Sequence, residues 1–201
     1  MKVHGPILDG YDITENTGIG RLLYDVASKP TVIDFLETGT QIGGSSRMIG
    51  SAFKEGEGEL HTIEAVRSRV EEAQFNLSGL PVKCHWMSTK NEEGLRGYYN
   101  RFRNQIKAAN GAFELLVTSR HWDAVFLDSC NVSQYYEMQY IVENGLSKPR
   151  HFLMHEPDAK CPGYDEYLTG HGYELITQGT DNINGHNPLY VYYQLKEEDD
   201  D

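Results

Sequence analysis

Residues 32–46 read VIDFLETGTQIGGSS, an apolar stretch that runs directly into a glycine-rich turn. The apolar part predicts a buried strand at about residues 32–36. A glycine-rich turn between a buried strand and a helix lets a ligand approach the main chain closely, and the amino terminus of the helix presents unpaired N–H groups. This stretch therefore predicts a ligand-binding turn, although Gly39 and Gly43 are also compatible with a tight turn that binds nothing.

Strand and helix patterns alternate along the rest of the chain. Short apolar strands are predicted at residues 60–63, 82–87, 124–127 and 152–154, and helices at residues 17–29, 48–53, 66–78, 92–117 and 133–144. Two more strands, at residues 173–177 and 189–195, have no helical pattern between them and are predicted to be antiparallel. The alternation predicts a doubly wound α/β fold, with a mostly parallel sheet and helices on both faces.

The charge balance is acidic. Eighteen Lys and Arg residues stand against 30 Asp and Glu residues, a formal net charge of −12. Binding to the phosphate backbone of a nucleic acid needs clustered positive charge, so nucleic acid is not expected as a partner. Residues 197–201 are all acidic and are predicted to form a solvated, disordered tail after a single domain over residues 1–196.

The cysteine content and the lack of long apolar segments suggest the compartment. Cys84, Cys130 and Cys161 form no CxxC pair and would leave one thiol unpaired in any disulfide scheme, which is typical of a reducing environment. No segment approaches 18 consecutive apolar residues, so no membrane association is expected. These features predict a soluble cytoplasmic protein.

An acidic residue ends the second predicted strand. Glu64 lies 25 residues after Gly39, at a place where nucleoside-binding α/β folds use an acid to accept hydrogen bonds from both ribose hydroxyls. A carboxylate stabilised by the dipole of the following helix is the alternative for Glu64. The dinucleotide pattern GxGxxG would need glycine where the chain has Gln41, which disfavours a nicotinamide-dependent oxidoreductase.

Residues 31–156 resemble the class I S-adenosylmethionine-dependent methyltransferases. Glu37-x-Gly39-x-x-x-Gly43 is similar to the first motif of that family, and Glu64 to its ribose-binding acid. The turn is similar to that of small-molecule O-methyltransferases of the macrolide-sugar and cephalosporin-biosynthetic types. The resemblance implies a seven-stranded sheet with an antiparallel last strand, S-adenosylmethionine as cofactor and a small hydroxylated acceptor. The cofactor-binding residues expected from it are Glu37, Gly39, Thr40, Gln41, Gly43, Ser45, Glu64, Ser88 and Asp128, with a plain polar loop as the alternative for Ser88.

The family's strand order makes the fourth and fifth strands neighbours, so Asp128 and Glu156 are expected to lie close together. Converging carboxylates repel unless they share a cation or a proton. The resemblance therefore implies a metal site formed by Asp128, Glu156 and His155, with Mg²⁺ favoured by the oxygen ligands and a transition metal by the histidine. The alternative has Asp128 capping the following helix and Glu156 on an unrelated loop.

Asp128 and His155 are the candidate catalytic residues. A metal would act as a Lewis acid on the acceptor hydroxyl. Without a metal, His155 is the first candidate for general base, because imidazole exchanges protons near neutral pH. A noncatalytic nucleoside-binding module, acting as a partner subunit, stays open as an alternative function. Acceptor selection is left to short loops, to residues 90–120 or to the neighbouring subunit of a homo-oligomer.

Overall fold

The computed structural model describes residues 12–53, 57–89, 92–106, 112–183 and 185–197. These residues form one seven-stranded sheet. Its strands are β1 Asp34–Thr38, β2 Glu59–Glu64, β3 Val82–Trp86, β4 Ala124–Leu127, β5 His151–His155, β6 Tyr173–Thr180 and β7 Leu189–Leu195. The helices are α1 Gly18–Ala27, α2 Gly44–Ala52, α3 Arg67–Asn76, α4 Glu92–Tyr98, α5 Ala112–Val117, α6 Gln134–Asn144, α7 Pro157–Lys160 and α8 Tyr164–Gly170.

The strand order is β3-β2-β1-β4-β5-β7-β6. β1 pairs in parallel with both β2 and β4, and β4 pairs in parallel with β5. β7 runs antiparallel to both of its neighbours, β5 and β6. The predicted doubly wound sheet with an antiparallel final pair is confirmed. The order reverses between β1 and β4, and in open α/β sheets a crevice forms at the carboxyl ends of the strands at such a point.

The core consists of two apolar layers, one on each face of the sheet. Along β4, Val125 and Leu127 join the layer under α5, α6 and α8, whereas Ala124 and Phe126 join the layer under α1 and α2. Successive side chains of a strand point to opposite faces, so a strand covered on both sides must be apolar throughout. This is why residues 124–127 read as an uninterrupted apolar run.

The long helix predicted over residues 92–117 is wrong. The structure has α4, a 3₁₀ turn at Asn100–Phe102 and α5 instead, while Ala109 lies outside the described residues. Residues 103–106 are not helical, because they pair with the start of α3. Ile106 bridges Val66, and the carbonyl of Gln105 accepts hydrogen bonds from the Arg67 amide and the Trp86 indole. These tertiary contacts outweigh the local helical preference of residues 103–106.

Other boundaries differ in smaller ways. β1 begins two residues later than predicted, and the sequence patterns missed α7 and α8 altogether. Both helices are short, so they carry little periodic signal. In the predicted tail Glu197 forms an ion pair with Arg150, and residues 198–201 lie outside the described residues. Within the described ranges, no helix has both the length and the apolar character needed to cross a membrane.

Candidate functional site

The turn after β1 lies against the end of β4. The amide of Asp128 donates to the carbonyl of Thr38 at 2.9 Å. Gly39 has a φ of +92°, and a Cβ at this position would overlap the backbone carbonyl of Asp128. Glycine therefore lets the two loops approach as closely as they do. Gln41 also has a positive φ, of 47°, which is uncommon for a residue with a side chain.

Two cavities meet at this point. The larger has a volume of about 230 Å³ and extends from Thr40 and Ser45 across to His155 and Lys160. The smaller has a volume of about 50 Å³ and extends toward Glu64 and Ser88. Both are lined by Gly39, Gln41 and Asp128. A ligand lying across these three residues would reach both cavities.

Glu64 is buried beside the turn at the end of β2. One carboxylate oxygen accepts from the Val66 amide at 2.8 Å and the other from the Gln41 amide at 3.1 Å. Burial raises the pKa of Glu64, while these amides and nearby Arg69 lower it. Each oxygen of a carboxylate can accept a further hydrogen bond, so Glu64 retains the capacity to bind a pair of hydroxyls.

Glu37 lies beneath the turn and lines neither cavity. One of its oxygens accepts from the hydroxyls of Ser46 and Thr62, and its other oxygen has no hydrogen-bond partner among the described residues. Burial raises the pKa of Glu37 to about 7, against the lowering effect of the hydroxyls of Ser45, Ser46 and Thr62. Through Ser46 and Thr62, Glu37 connects β1 to α2 and β2. Gly43, also absent from both cavity walls, begins α2 with a φ of 100°.

Asp128 and His155 form a hydrogen-bonded pair at the carboxyl ends of β4 and β5. Nδ1 of His155 lies 3.1 Å from Oδ1 of Asp128. Nε2 of His155 is buried and has no hydrogen-bond partner among the described residues. A carboxylate that accepts from Nδ1–H leaves Nε2 as the basic nitrogen. His155 lines the larger cavity, and Nε2 is the nitrogen of this pair that can accept a proton.

Lys160 completes this group and was not among the candidates named from the sequence. Its ammonium nitrogen lies 2.7 Å from Oδ1 of Asp128 and 2.9 Å from Oε2 of Glu156. Burial lowers the pKa of Lys160, but the two carboxylates outweigh it and the net shift is upward. Burial raises the pKa of Asp128, but Lys160 and His155 lower it by more, so the net shift is downward. Asp128 and Lys160 therefore form an ion pair.

The expected metal ligands do come together, but a divalent ion does not fit among them as they stand. Ligand atoms of Asp128, His155 and Glu156 lie within 4.8 Å of one another. The Lys160 ammonium already bonds to both carboxylates. That ammonium occupies the space between the carboxylates and would repel a divalent ion placed beside it. The structure thus joins the predicted residues and supplies a different cation.

The other polar and aromatic side chains near the site have varied environments. Ser88 is buried in the wall of the smaller cavity. Asn131 is exposed, and Ser133 occupies the position before α6. Tyr136 and Tyr140 pack against Phe113. His186 is exposed and also lines the larger cavity.

A short sequence signal could have found Lys160. Lys160 follows Glu156 by four residues, with proline directly after the glutamate. Proline favours the first position of a helix, and residues four apart on a helix face one another. The structure has this arrangement: Glu156 precedes α7 with a φ of 53°, Pro157 begins the helix and Lys160 ends it.

Comparison with solved structures identifies the fold. The O-methyltransferase TomG from Streptomyces achromogenes, involved in tomaymycin synthesis and solved with S-adenosylmethionine, is 19% identical over 94% of this chain and 84% of its own, with a TM-score of 0.66. An O-methyltransferase from Bacillus cereus in complex with S-adenosylhomocysteine is 14% identical over 94% and 84%, with a TM-score of 0.64. Precorrin-6y C5,15-methyltransferase from Geobacter metallireducens is 14% identical over 98% and 99%, with a TM-score of 0.63.

No protein-family model matches the sequence, and no curated protein sequence matches it either. The chain has the fold shared by these methyltransferases, and the resemblance inferred from residues 31–156 is confirmed at the level of the fold.

Proposed function

We propose that the chain is an S-adenosylmethionine-dependent methyltransferase that acts on an oxygen atom of a small hydroxylated acceptor. One observation carries the proposal. The two cavities join Glu64, a buried acid with spare acceptor capacity, to the Asp128–His155 pair, whose Nε2 is unpartnered among the described residues. A nucleoside at one end and a base at the other are what methyl transfer to a hydroxyl requires.

The residues around the smaller cavity suit a nucleoside. Glu64 can accept both ribose hydroxyls while keeping its bonds to the amides of Val66 and Gln41. Thr89, in the same wall, has a buried hydroxyl without a hydrogen-bond partner among the described residues, so it can serve a polar edge of a base. The glycine turn at Gly39 lets the rest of the ligand pass close to the main chain toward the larger cavity.

The larger cavity supplies the groups for proton removal. When bound, S-adenosylmethionine supplies an electrophilic methyl group on a sulfonium, which the acceptor oxygen attacks while the carbon–sulfur bond breaks. Nε2 of His155 takes the proton of the acceptor hydroxyl, and Asp128 stabilises the resulting imidazolium. Lys160 lies in the same wall, and its positive charge stabilises the negative charge that forms on the acceptor oxygen as the proton leaves. The enclosed walls hold the acceptor in position.

Two segments that border the larger cavity are placed to select the acceptor. Asp12 and Ile13 line one side, and Ile183, His186 and Pro188 of the β6–β7 loop line the other. The cavity between them has a volume of about 230 Å³, so we propose that the acceptor is a small molecule. Residues 90–120 were an expected source of selectivity; those that the structure describes line the smaller cavity, through Leu95 and Tyr99, and not the larger one.

Titration calorimetry with S-adenosylhomocysteine tests the cofactor assignment. The wild-type chain should bind it, and Glu64→Gln should bind roughly 10- to 150-fold more weakly, because hydrogen bonds to a charged group contribute about 1.5–3 kcal/mol each. Glu71→Gln is the matched control, since Glu71 is exposed and pairs with Arg67 on the outside of α3. Circular dichroism shows that each variant is folded. Failure of the wild type to bind would refute the proposal.

His155→Asn tests the base. The variant should retain S-adenosylhomocysteine binding, while methyl transfer to a panel of small phenols and alcohols should fall about 10²- to 10⁴-fold. The readout is release of S-adenosylhomocysteine with time. Full activity of His155→Asn would remove His155 from the chemistry. Cofactor binding without transfer to any member of the panel would favour a noncatalytic nucleoside-binding module.

A further inference from the structure

The carboxylates at the ends of β4 and β5 require a positive partner. Asp128 and Glu156 come together because β4 and β5 are adjacent parallel strands that end at the same edge. Two carboxylates that share a site cannot both ionise without a nearby cation. The identity of that cation determines how the site works.

We propose that the ammonium of Lys160 is the resident cation of this site, and that the site operates without a divalent metal. The ammonium bonds to Asp128 at 2.7 Å and to Glu156 at 2.9 Å, which are the two carboxylates that a metal would have to bridge. The proposal deepens the proposed function, because it assigns the charge balance of the same cavity.

The local backbone holds Lys160 in place. Glu156 adopts a left-handed conformation, with a φ of 53°, and its amide donates to the carbonyl of Leu189 at 2.7 Å. This conformation turns the chain directly into α7, whose last residue is Lys160. The amide of Lys160 donates to the carbonyl of Glu156 at 3.0 Å. The Lys160 side chain is only 13% exposed, so the ammonium is enclosed by the carboxylates rather than extended into solvent.

The Asp128 carboxylate oxygen that binds Lys160 is also engaged by His155. Oδ1 of Asp128 accepts from both Lys160 and Nδ1 of His155. The same oxygen therefore has two hydrogen-bond donors in place, which leaves it little capacity to ligate an ion as well. Removing the lysine would leave two carboxylates and an imidazole within 4.8 Å, a donor set suited to a first-row transition metal.

The experiment measures Mn²⁺ binding by titration calorimetry and by electron paramagnetic resonance. The wild-type chain should show no saturable site below about 1 mM Mn²⁺, whereas Lys160→Met should gain one site at least tenfold tighter. The double variant Lys160→Met/Asp128→Asn should lose that site again. Lys148→Met is the control, because Lys148 is exposed and bonds only to the carbonyl of His171 among the contacts described.

Stoichiometric Mn²⁺ or Mg²⁺ binding by the wild type in the micromolar range, abolished by Asp128→Asn, would overturn the proposal. A folded Lys160→Met variant that gains no site would overturn it as well. If Lys160→Met does not fold, the wild-type titration alone decides. Because this readout is metal binding, it is independent of S-adenosylhomocysteine binding, so failure of the proposed function and failure of this inference are distinguishable.

Discussion

Replacement of Gly39 by alanine tests the close approach of the turn after β1 to the end of β4. Gly39 has a φ of +92°, and an added Cβ would lie 2.6 Å from the backbone carbonyl carbon of Asp128. A residue with a side chain is strained by about 1–2 kcal/mol in a left-handed conformation. The clash adds about 1–3 kcal/mol, the usual cost of an inserted methyl group that forces a backbone shift. We expect Gly39→Ala to lower the free energy of unfolding by about 2–5 kcal/mol.

Gly79→Ala separates the two contributions. Gly79 has a φ of +84°, close to that of Gly39, but an added Cβ there would meet nothing within 4 Å. The control should therefore lose only the conformational part, about 1–2 kcal/mol. Urea denaturation followed by circular dichroism gives both values, and the difference between the variants measures the clash with Asp128.

The functional consequence of Gly39→Ala follows from the same geometry. The backbone of Asp128 must move to relieve the clash, and Asp128 lies in the wall shared by both cavities. We expect weaker S-adenosylhomocysteine binding by Gly39→Ala and unchanged binding by Gly79→Ala. Equal losses of stability in the two variants would show that the turn and the end of β4 are not in contact, and would refute the reasoning.

Two further predictions concern residues that support the site. Burial raises the pKa of Glu37 from 4.5 to about 7, so the folded chain binds this proton more tightly than the unfolded chain does. The free energy of unfolding should therefore fall by up to roughly 3 kcal/mol as the pH rises from about 4.5 to about 7. Glu37→Gln should flatten that fall in urea denaturation at a series of pH values, and an unchanged slope would contradict the assignment. Asp181 accepts hydrogen bonds from the amides of Gly18 and Ile19 at the start of α1, so Asp181→Ala should cost about 0.5–2 kcal/mol, measured by thermal and urea denaturation. Asp25→Ala, which changes an exposed acid on the same helix, should cost much less, and equal losses would argue against the cap.

The larger cavity depends on the same cap. Asp181 belongs to the segment between β6 and β7 that also carries Ile183, His186 and Pro188. Its bonds to α1 therefore hold one wall of the proposed acceptor site against the body of the domain. The amino-acid sequence shows no periodic pattern in this loop, so the place of His186 in the cavity wall could not be predicted from the sequence.

The metal prediction shows what a local pattern can and cannot supply. The positions of Asp128 and Glu156 after two apolar strands correctly predicted that the carboxylates converge. Lys160, which we propose as the cation of this site, belongs to a four-residue helix that leaves almost no trace in hydrophobic periodicity.

The sequence alone was sufficient for the centre of the sheet, because β1, β4 and β5 are each marked by an apolar run. It was also sufficient to place Gly39 in the turn after β1 and Glu64 at the end of β2. Tertiary structure was needed for residues 92–117, where the pairing of Ile106 with Val66 outweighs local helical preference. It was needed equally for the Asp128–His155–Lys160 group, because hydrogen bonds and charge pairs between the end of β4 and the β5–α7 segment form only when the strand order brings these two segments together.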